Sequence, residues 1–282
     1  MPASPFQPLH AALRAQVDQG FLPGVSTVLL RGREVVDRFL YGQADREAGV
    51  PLREDHIFRV FSNTKLLVSC AVLMLEEEGR LSLSEPVERY LPELGRRQVL
   101  RPGATRIDDV EPARRPITVE HLMTHTSGLA YGAFDPGTLM FTAYAQSGVH
   151  NPLLSNAQMV QTLAALPLAF HPGEQWEYSL ATDVLGRLVE VVSGQRLGAF
   201  LQQRIFGPLE MVDTAFWVPP HKQERLTALY GGVDFTDPRK PGLNRMDHAP
   251  YPGAYRSPRL RGSGGGGVTS TLGNMGRMIQ TL

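Results

Sequence analysis

With 282 residues, 42% of them hydrophobic and 20% charged, the sequence is long enough to bury a large core and carries no signature of disorder. Its 28 basic and 28 acidic side chains cancel, which removes the basic footprint of a nucleic-acid or anionic-membrane binder. The single cysteine, Cys70, rules out an intramolecular disulfide, and no apolar run approaches the roughly 18 residues of a transmembrane helix.

Residues 1–17 lack a charged start followed by an apolar run, so no secretory signal is read there and a cytoplasmic location is expected. Leu9, Leu13 and Val17 have helical spacing, and the pattern ends near Gly20. Residues 25–30 and 35–41 alternate as strands around the turn Arg31–Glu34, which predicts a β-hairpin behind a helix. A helix is expected from Ser62 to Leu75, apolar almost all round and closed by Gly79. Ser84 before Glu85-Pro86 marks another helix start. Residues 95–116 and 126–152 are rich in Arg, Pro and Gly and read as loops, the second long enough to wall a site. Between them Thr118 caps a short helix that ends at His125. Ser155-Asn156-Ala157-Gln158 is a capping box, and its helix reaches Leu166. Leu180, Val184, Leu185, Leu188, Val189 and Val192 trace a 3.6-residue stripe closed by Gly194. A further helix is read from about Leu197 to Ile205, and residues 219–261 read as irregular. Gly262-Ser263 and the glycines 264–267 read as a flexible connection, and Thr269-Ser270-Thr271 supplies caps for a last helix.

The chemistry concentrates around Ser62. Lys65 follows three residues later, on the same helical face, so its amine and the Ser62 hydroxyl meet across one turn. Only three lysines occur, against 25 arginines, and Ser62 is the one serine of 14 with Lys at +3. Lysine can lose its proton in an apolar setting and arginine cannot, so Lys65 suits the activation of a serine nucleophile. The bland alternative is an N-cap serine beside a lysine that reaches solvent. Further on, His171-Pro172-Gly173-Glu174 turns into an aromatic-rich segment that delivers Tyr178 at a loop-to-helix junction. A tyrosine there is either rim packing or a general base.

Together, Ser62-x-x-Lys65, the box Leu122-Met123-Thr124-His125-Thr126-Ser127-Gly128-Leu129, Pro172-Gly173-Glu174 before Tyr178, Ile205-Phe206-Gly207-Pro208-Leu209 and the glycine run resemble the serine β-lactamase and penicillin-binding-protein superfamily. Within its class C-like branch the sequence is most similar to the family VIII carboxylesterases, whose tyrosine box reads Tyr-Ser-Leu as at 178–180. Class C β-lactamases carry Tyr-x-Asn there, and Leu180 takes the place of that asparagine. The resemblance implies an α/β (α+β) fold, an antiparallel sheet flanked by helices plus a helical domain. It divides the chain into a sheet domain, 1–60 with 262–282, and a mainly helical domain, 61–261. It implies Ser62 as nucleophile, Lys65 and Tyr178 as the proton-handling pair 116 residues apart, the Ser62 N–H as an oxyanion donor, and Tyr131 lining the cleft. The expected reaction is hydrolysis of small short-acyl esters through an acyl-enzyme, with no cofactor, no metal, and neither nucleic acid nor membrane as partner. The rival readings are a β-lactamase, DD-peptidase or D-aminopeptidase, and a non-catalytic homologue.

Other motifs are weak. No Gly-x-Ser-x-Gly elbow occurs. His121 and His125 have i, i+4 spacing, but Leu122 stands where a zincin needs glutamate. The superfamily's third box, Lys/His-Thr/Ser-Gly or a Trp-Gly-Gly variant on a strand beyond the glycine run, has no counterpart; Lys240-Pro241-Gly242 precedes the run, and its proline does not suit a strand that donates to substrate. Residues 1–282 are therefore expected to be part of a longer chain, to be poorly soluble alone, and to hydrolyse esters very weakly or not at all alone.

Overall fold

The computed structural model describes residues 4–248, 253–258 and 261–282. In chain order, α1 (Gln7–Asp18) leads into β1 (Gly24–Arg31), β2 (Glu34–Asp45), β3 (Val50–Pro51) and β4 (Phe58–Arg59), and a 3-10 turn at Phe61–Asn63 opens α2 (Thr64–Glu77). Next come β5 (Gln98–Leu100), β6 (Val110–Pro112), α3 (Val119–Met123), α4 (Leu139–Ser147), α5 (Asn156–Ala164), α6 (Ala181–Ser193) and α7 (Leu197–Leu201). β7 (Tyr230–Gly232), β8 (Leu243–Arg245), β9 (Thr269–Ser270) and α8 (Leu272–Ile279) follow. The fold is the mixed α/β type expected, with small antiparallel sheets flanked by helices.

Two compact units form: residues 1–59, 206–258 and 269–282, and residues 60–205 with 259–268. The first holds the three-stranded sheet β1-β2-β3, one strand more than the expected hairpin. β1 and β2 run antiparallel from Gly24↔Gly42 to Arg31↔Glu34, with a bulge between Leu29 and Leu30. The glycine pair permits the closest approach: a Cβ on Gly42 would stand 2.6 Å from the Gly24 Cα. Alongside, Arg14 of α1 lies 4.9 Å from the centre of the Tyr41 ring on β2. Residues 206–258 were expected with the helical domain. Backbone bonds tie them to this unit instead, Thr227 N–H donating to the Ile57 carbonyl (3.0 Å) and Ala228 N–H to Ala44 (2.9 Å). Arg59, buried, donates to the Thr227 carbonyl at 2.7 Å. The region read as irregular contains the β7–β8 hairpin, and Lys240–Gly242 lies in its connection. Residues 249–252 and 259–260 of that region lie outside the described residues.

The second unit is built around α6. Val184, Leu185, Leu188 and Val189 of the 3.6-residue stripe are buried. Residues 181–183 and Gly186 are buried as well, so the first turns are enclosed all round, and Gly194 closes the helix in the left-handed conformation at φ 74°. α2 packs on α6 with Leu67, Val68, Ala71, Val72 and Leu75, each fully buried. Each of the buried Leu and Val side chains contributes about 1.5–3 kcal/mol. α2 is apolar almost all round, as expected, but is not buried all round: Leu73 is 39% exposed.

Three loops expected from composition carry structure. Residues 95–116 include the β5–β6 hairpin, held through Leu100 N–H to the Leu168 carbonyl at 2.9 Å. Residues 126–152 include α4, started by the Thr138 hydroxyl accepting Phe141 N–H at 3.1 Å and anchored by buried Met140 and Tyr144. The glycine run is not a free connection: Gly264 and Gly265 are buried, and Val268 N–H donates to Thr64 Oγ1 at 3.1 Å. Its glycines are needed for close packing, since a Cβ on Gly264 would meet the Thr182 carbonyl at 2.5 Å. The helix expected after Ser84 shrinks to a 3-10 turn at Val87–Arg89, because Pro86 is extended and bridges Thr118.

Candidate active site

Ser62 stands in the 3-10 turn, one residue after Phe61, whose φ of +40° is unusual for a side chain of that size. The serine is therefore not a helix cap, and α2 begins at Thr64. Its hydroxyl is exposed and lies 2.7 Å from the Tyr178 hydroxyl. Lys65 Nζ donates to the same Ser62 Oγ at 3.4 Å and to the Gly265 carbonyl at 2.5 Å, and it sits 4.7 Å over the Tyr178 ring. Lys65, three residues away, and Tyr178, 116 residues away, thus converge on the Ser62 hydroxyl, all within the second unit. No third ionisable partner is required for the arrangement to move a proton away from Ser62 Oγ.

Two elements position Tyr178. The Pro172-Gly173 turn brings the chain back, and α6 starts immediately after Leu180. Leu180 faces inward, 3% exposed, with its N–H on the Ala130 carbonyl at 3.2 Å. Tyr131 is placed beside the pair, its ring stacked 5.7 Å from that of Tyr178. Burial first, then the Asp183 and Tyr178 oxygens, push its phenol up to about 12, which favours the neutral hydroxyl. Phe134, 62% exposed, leans on Tyr131 at 4.8 Å and makes an aromatic rim.

The sequence reading did not single out the support beneath these groups. Asp183 is buried on α6, and its carboxylate accepts from the Ser263 hydroxyl at 2.6 Å, fastening the glycine run whose Gly265 carbonyl holds Lys65. His125 stacks on Tyr178 with ring centres 4.9 Å apart. Its signal lay in the His-Thr-Ser-Gly box, read only as a family mark. Cys70 is no competing nucleophile, because burial pushes its thiol up. Among the described residues no group of three His, Cys, Asp or Glu side chains is gathered as a metal site, and no helix is long and apolar enough to cross a membrane.

Helices flanking small antiparallel sheets, with a Ser-x-x-Lys turn facing a tyrosine, define the class of the serine β-lactamases and penicillin-binding proteins. The chain belongs to the Beta-lactamase family, whose model matches residues 9–282. It is 35% identical over 292 residues to Esterase EstB of Burkholderia gladioli, covering 97% of this chain and 70% of EstB. It is 34% identical over 274 residues to Protein Rv1367c of Mycobacterium tuberculosis, covering 97% of this chain and 65% of that protein. The chain thus spans just under two thirds of the mycobacterial relative. Among solved structures it resembles EstCE1, described as a hydrolase with promiscuous acyltransferase activity, with a TM-score of 0.80 at 25% identity, covering 96% of this chain and 70% of EstCE1.

Proposed function

We propose that the protein is a serine hydrolase that cleaves small short-acyl carboxylic esters through an acyl-enzyme on Ser62. The observation that carries this reading is the shared hydroxyl: Ser62 Oγ stands 2.7 Å from Tyr178 OH and 3.4 Å from Lys65 Nζ. Lys65 and Tyr178, both on Ser62 Oγ, together take the serine proton as Oγ bonds to the ester carbonyl carbon, and return it to the departing alkoxide as the C–O bond breaks. Lys65 Nζ, held by the Gly265 carbonyl, donates to Ser62 Oγ and is the member of the pair that a guanidinium could not replace in moving a proton. The Ser62 N–H is one donor to the oxyanion. Water then attacks the acyl-enzyme, with Tyr178 as its base, and releases the acid.

Similarity to EstB favours an ester over a β-lactam, as does Leu180, which brings an inward apolar side chain where a β-lactamase presents an amide. The test is parallel turnover of p-nitrophenyl acetate and nitrocefin by the wild type and Ser62→Ala. Ester turnover lost in Ser62→Ala, with nitrocefin untouched, is expected. Nitrocefin as the better substrate would replace the esterase reading with a β-lactamase one, and inertness toward both, with no labelling of Ser62, would mark a non-catalytic homologue. Acyl transfer is a second reading, favoured by the similarity to EstCE1. An added alcohol that diverts the acetyl group into a new ester would establish it.

A further inference from the structure

His125 grips the chain on both sides of Tyr178. Its carbonyl accepts Glu177 N–H at 3.0 Å, and its ring Nδ1 accepts Ser179 N–H at 3.2 Å while lying 3.1 Å from Ser179 Oγ. Between these two anchors the imidazole stacks on the Tyr178 ring, 29° from parallel. Carbonyl and Nδ1 can face the same segment because His125 adopts the left-handed backbone at φ +58°, a conformation in which histidine, asparagine and aspartate are enriched. An Nδ1 that accepts a backbone N–H carries no proton, so the ring is the neutral Nε2–H tautomer. Burial and the Lys65 charge both disfavour the imidazolium.

We propose that His125 is the positioning residue for Tyr178, acting as a neutral hydrogen-bond acceptor that holds residues 177–179 so that the phenol meets Ser62 Oγ. This inference rests on Tyr178 being the proton-handling group. What matters in the side chain is the acceptor at Nδ1 more than the stacked ring, because of the two only the acceptor bonds the backbone next to Tyr178. A displacement of about 1 Å at a reacting group costs on the order of 10²-fold in rate.

Two variants separate acceptor from ring. His125→Asn keeps an acceptor near the Nδ1 position and tolerates the left-handed backbone. His125→Phe keeps the stack and loses the acceptor. With p-nitrophenyl acetate, His125→Phe is expected to lose on the order of 10²-fold in kcat with KM little changed, whereas His125→Asn retains most of kcat. In a Tyr178→Phe background the His125→Phe loss should disappear, since there is no phenol left to position. A merely structural role would leave the loss in place. The ¹³Cζ resonance of Tyr178, identified by its absence in Tyr178→Phe, reads the same point without turnover: it should broaden or shift in His125→Phe and stay in place in His125→Asn. Full activity in His125→Phe, equal losses in the two variants, a loss that persists in the Tyr178→Phe background, or an unmoved resonance in His125→Phe would overturn the proposal. Should His125→Phe not fold, His125→Asn decides alone: a folded His125→Asn protein that has lost kcat overturns it, and retained kcat supports it. Failure of the underlying reading shows differently, as a Tyr178→Phe single variant that keeps full activity.

Discussion

Lys65 Nζ donates to the Gly265 carbonyl at 2.5 Å, joining two residues 200 positions apart. The contact requires residue 265 to lack a side chain, because a Cβ there would stand 2.2 Å from Asp183 Oδ2 and 3.5 Å from Lys65 Nζ. Gly265→Ala is therefore expected to lower kcat for p-nitrophenyl acetate under the proposed function and to destabilise by about 1–3 kcal/mol, as overpacking does. Gly273→Ala is the control. Position 273 lies on α8 with a nearest neighbour 4.0 Å away, so alanine should stabilise by about 0.5–1 kcal/mol. Urea unfolding of both variants checks the pair.

Ser62 should be the serine labelled by a fluorophosphonate, read by mass mapping of the adduct. An adduct elsewhere would remove Ser62 as nucleophile.

If Lys65 acts by exchanging its proton, Lys65→Arg should be nearly as damaging as Lys65→Ala, because a guanidinium keeps its charge. Tyr178→Phe should lower the acylation rate on the order of 10²–10⁴-fold. Single-turnover kinetics separates the two roles, and an active Lys65→Arg enzyme would reduce Lys65 to a fixed charge.

Arg97 is buried and donates from both Nη atoms to the carbonyls of Leu163, Ala164 and Leu166, where α5 ends. A lysine cannot serve three carbonyls in that plane. Arg97→Lys should destabilise on the order of 3 kcal/mol while leaving KM unchanged. Equal urea midpoints for the variant and the wild type would show that water replaces the guanidinium at no cost.

Burial holds the His56, His121 and His125 imidazoles below the ordinary histidine value of 6.5. In the unfolded chain these residues bind protons first as pH falls. Their contribution is thus fully present above about pH 6.5 and is lost as pH drops through the lower folded-state values. Stability should decline from about pH 6.5 toward pH 5, and His125→Asn should make that decline shallower. Urea titrations at stepped pH measure both slopes.

Elements that carry a local signal were legible in the sequence. The stripe from Leu180 to Val192 is α6, the Ser155 capping box starts α5, and residues 25–41 fold as β1 and β2. The meeting of Ser62, Lys65 and Tyr178 was legible through the family resemblance, since 116 residues separate serine from tyrosine. What escaped depends on distant partners. β5 and β6 are short, and residue 100 finds its bond at Leu168. α4 hides among glycines and prolines and is fixed by burial of Tyr144. The glycine run looked mobile because its order comes from Thr64, Lys65, Asp183 and Gly186, none of them nearby in sequence. His125 bonds the chain on both sides of Tyr178, and periodicity does not register either bond.

Phe61, at φ +40°, sits immediately before the serine. A bulky residue held in that region costs about 1–3 kcal/mol, and only the surrounding packing keeps it there. Phe61→Gly would relieve the strain and also free the hinge that aims Ser62. Selection for heat resistance and selection for turnover would therefore pull this position in opposite directions. A library screened for thermal survival alone should drift toward glycine or asparagine at 61 and yield sturdier, slower enzymes.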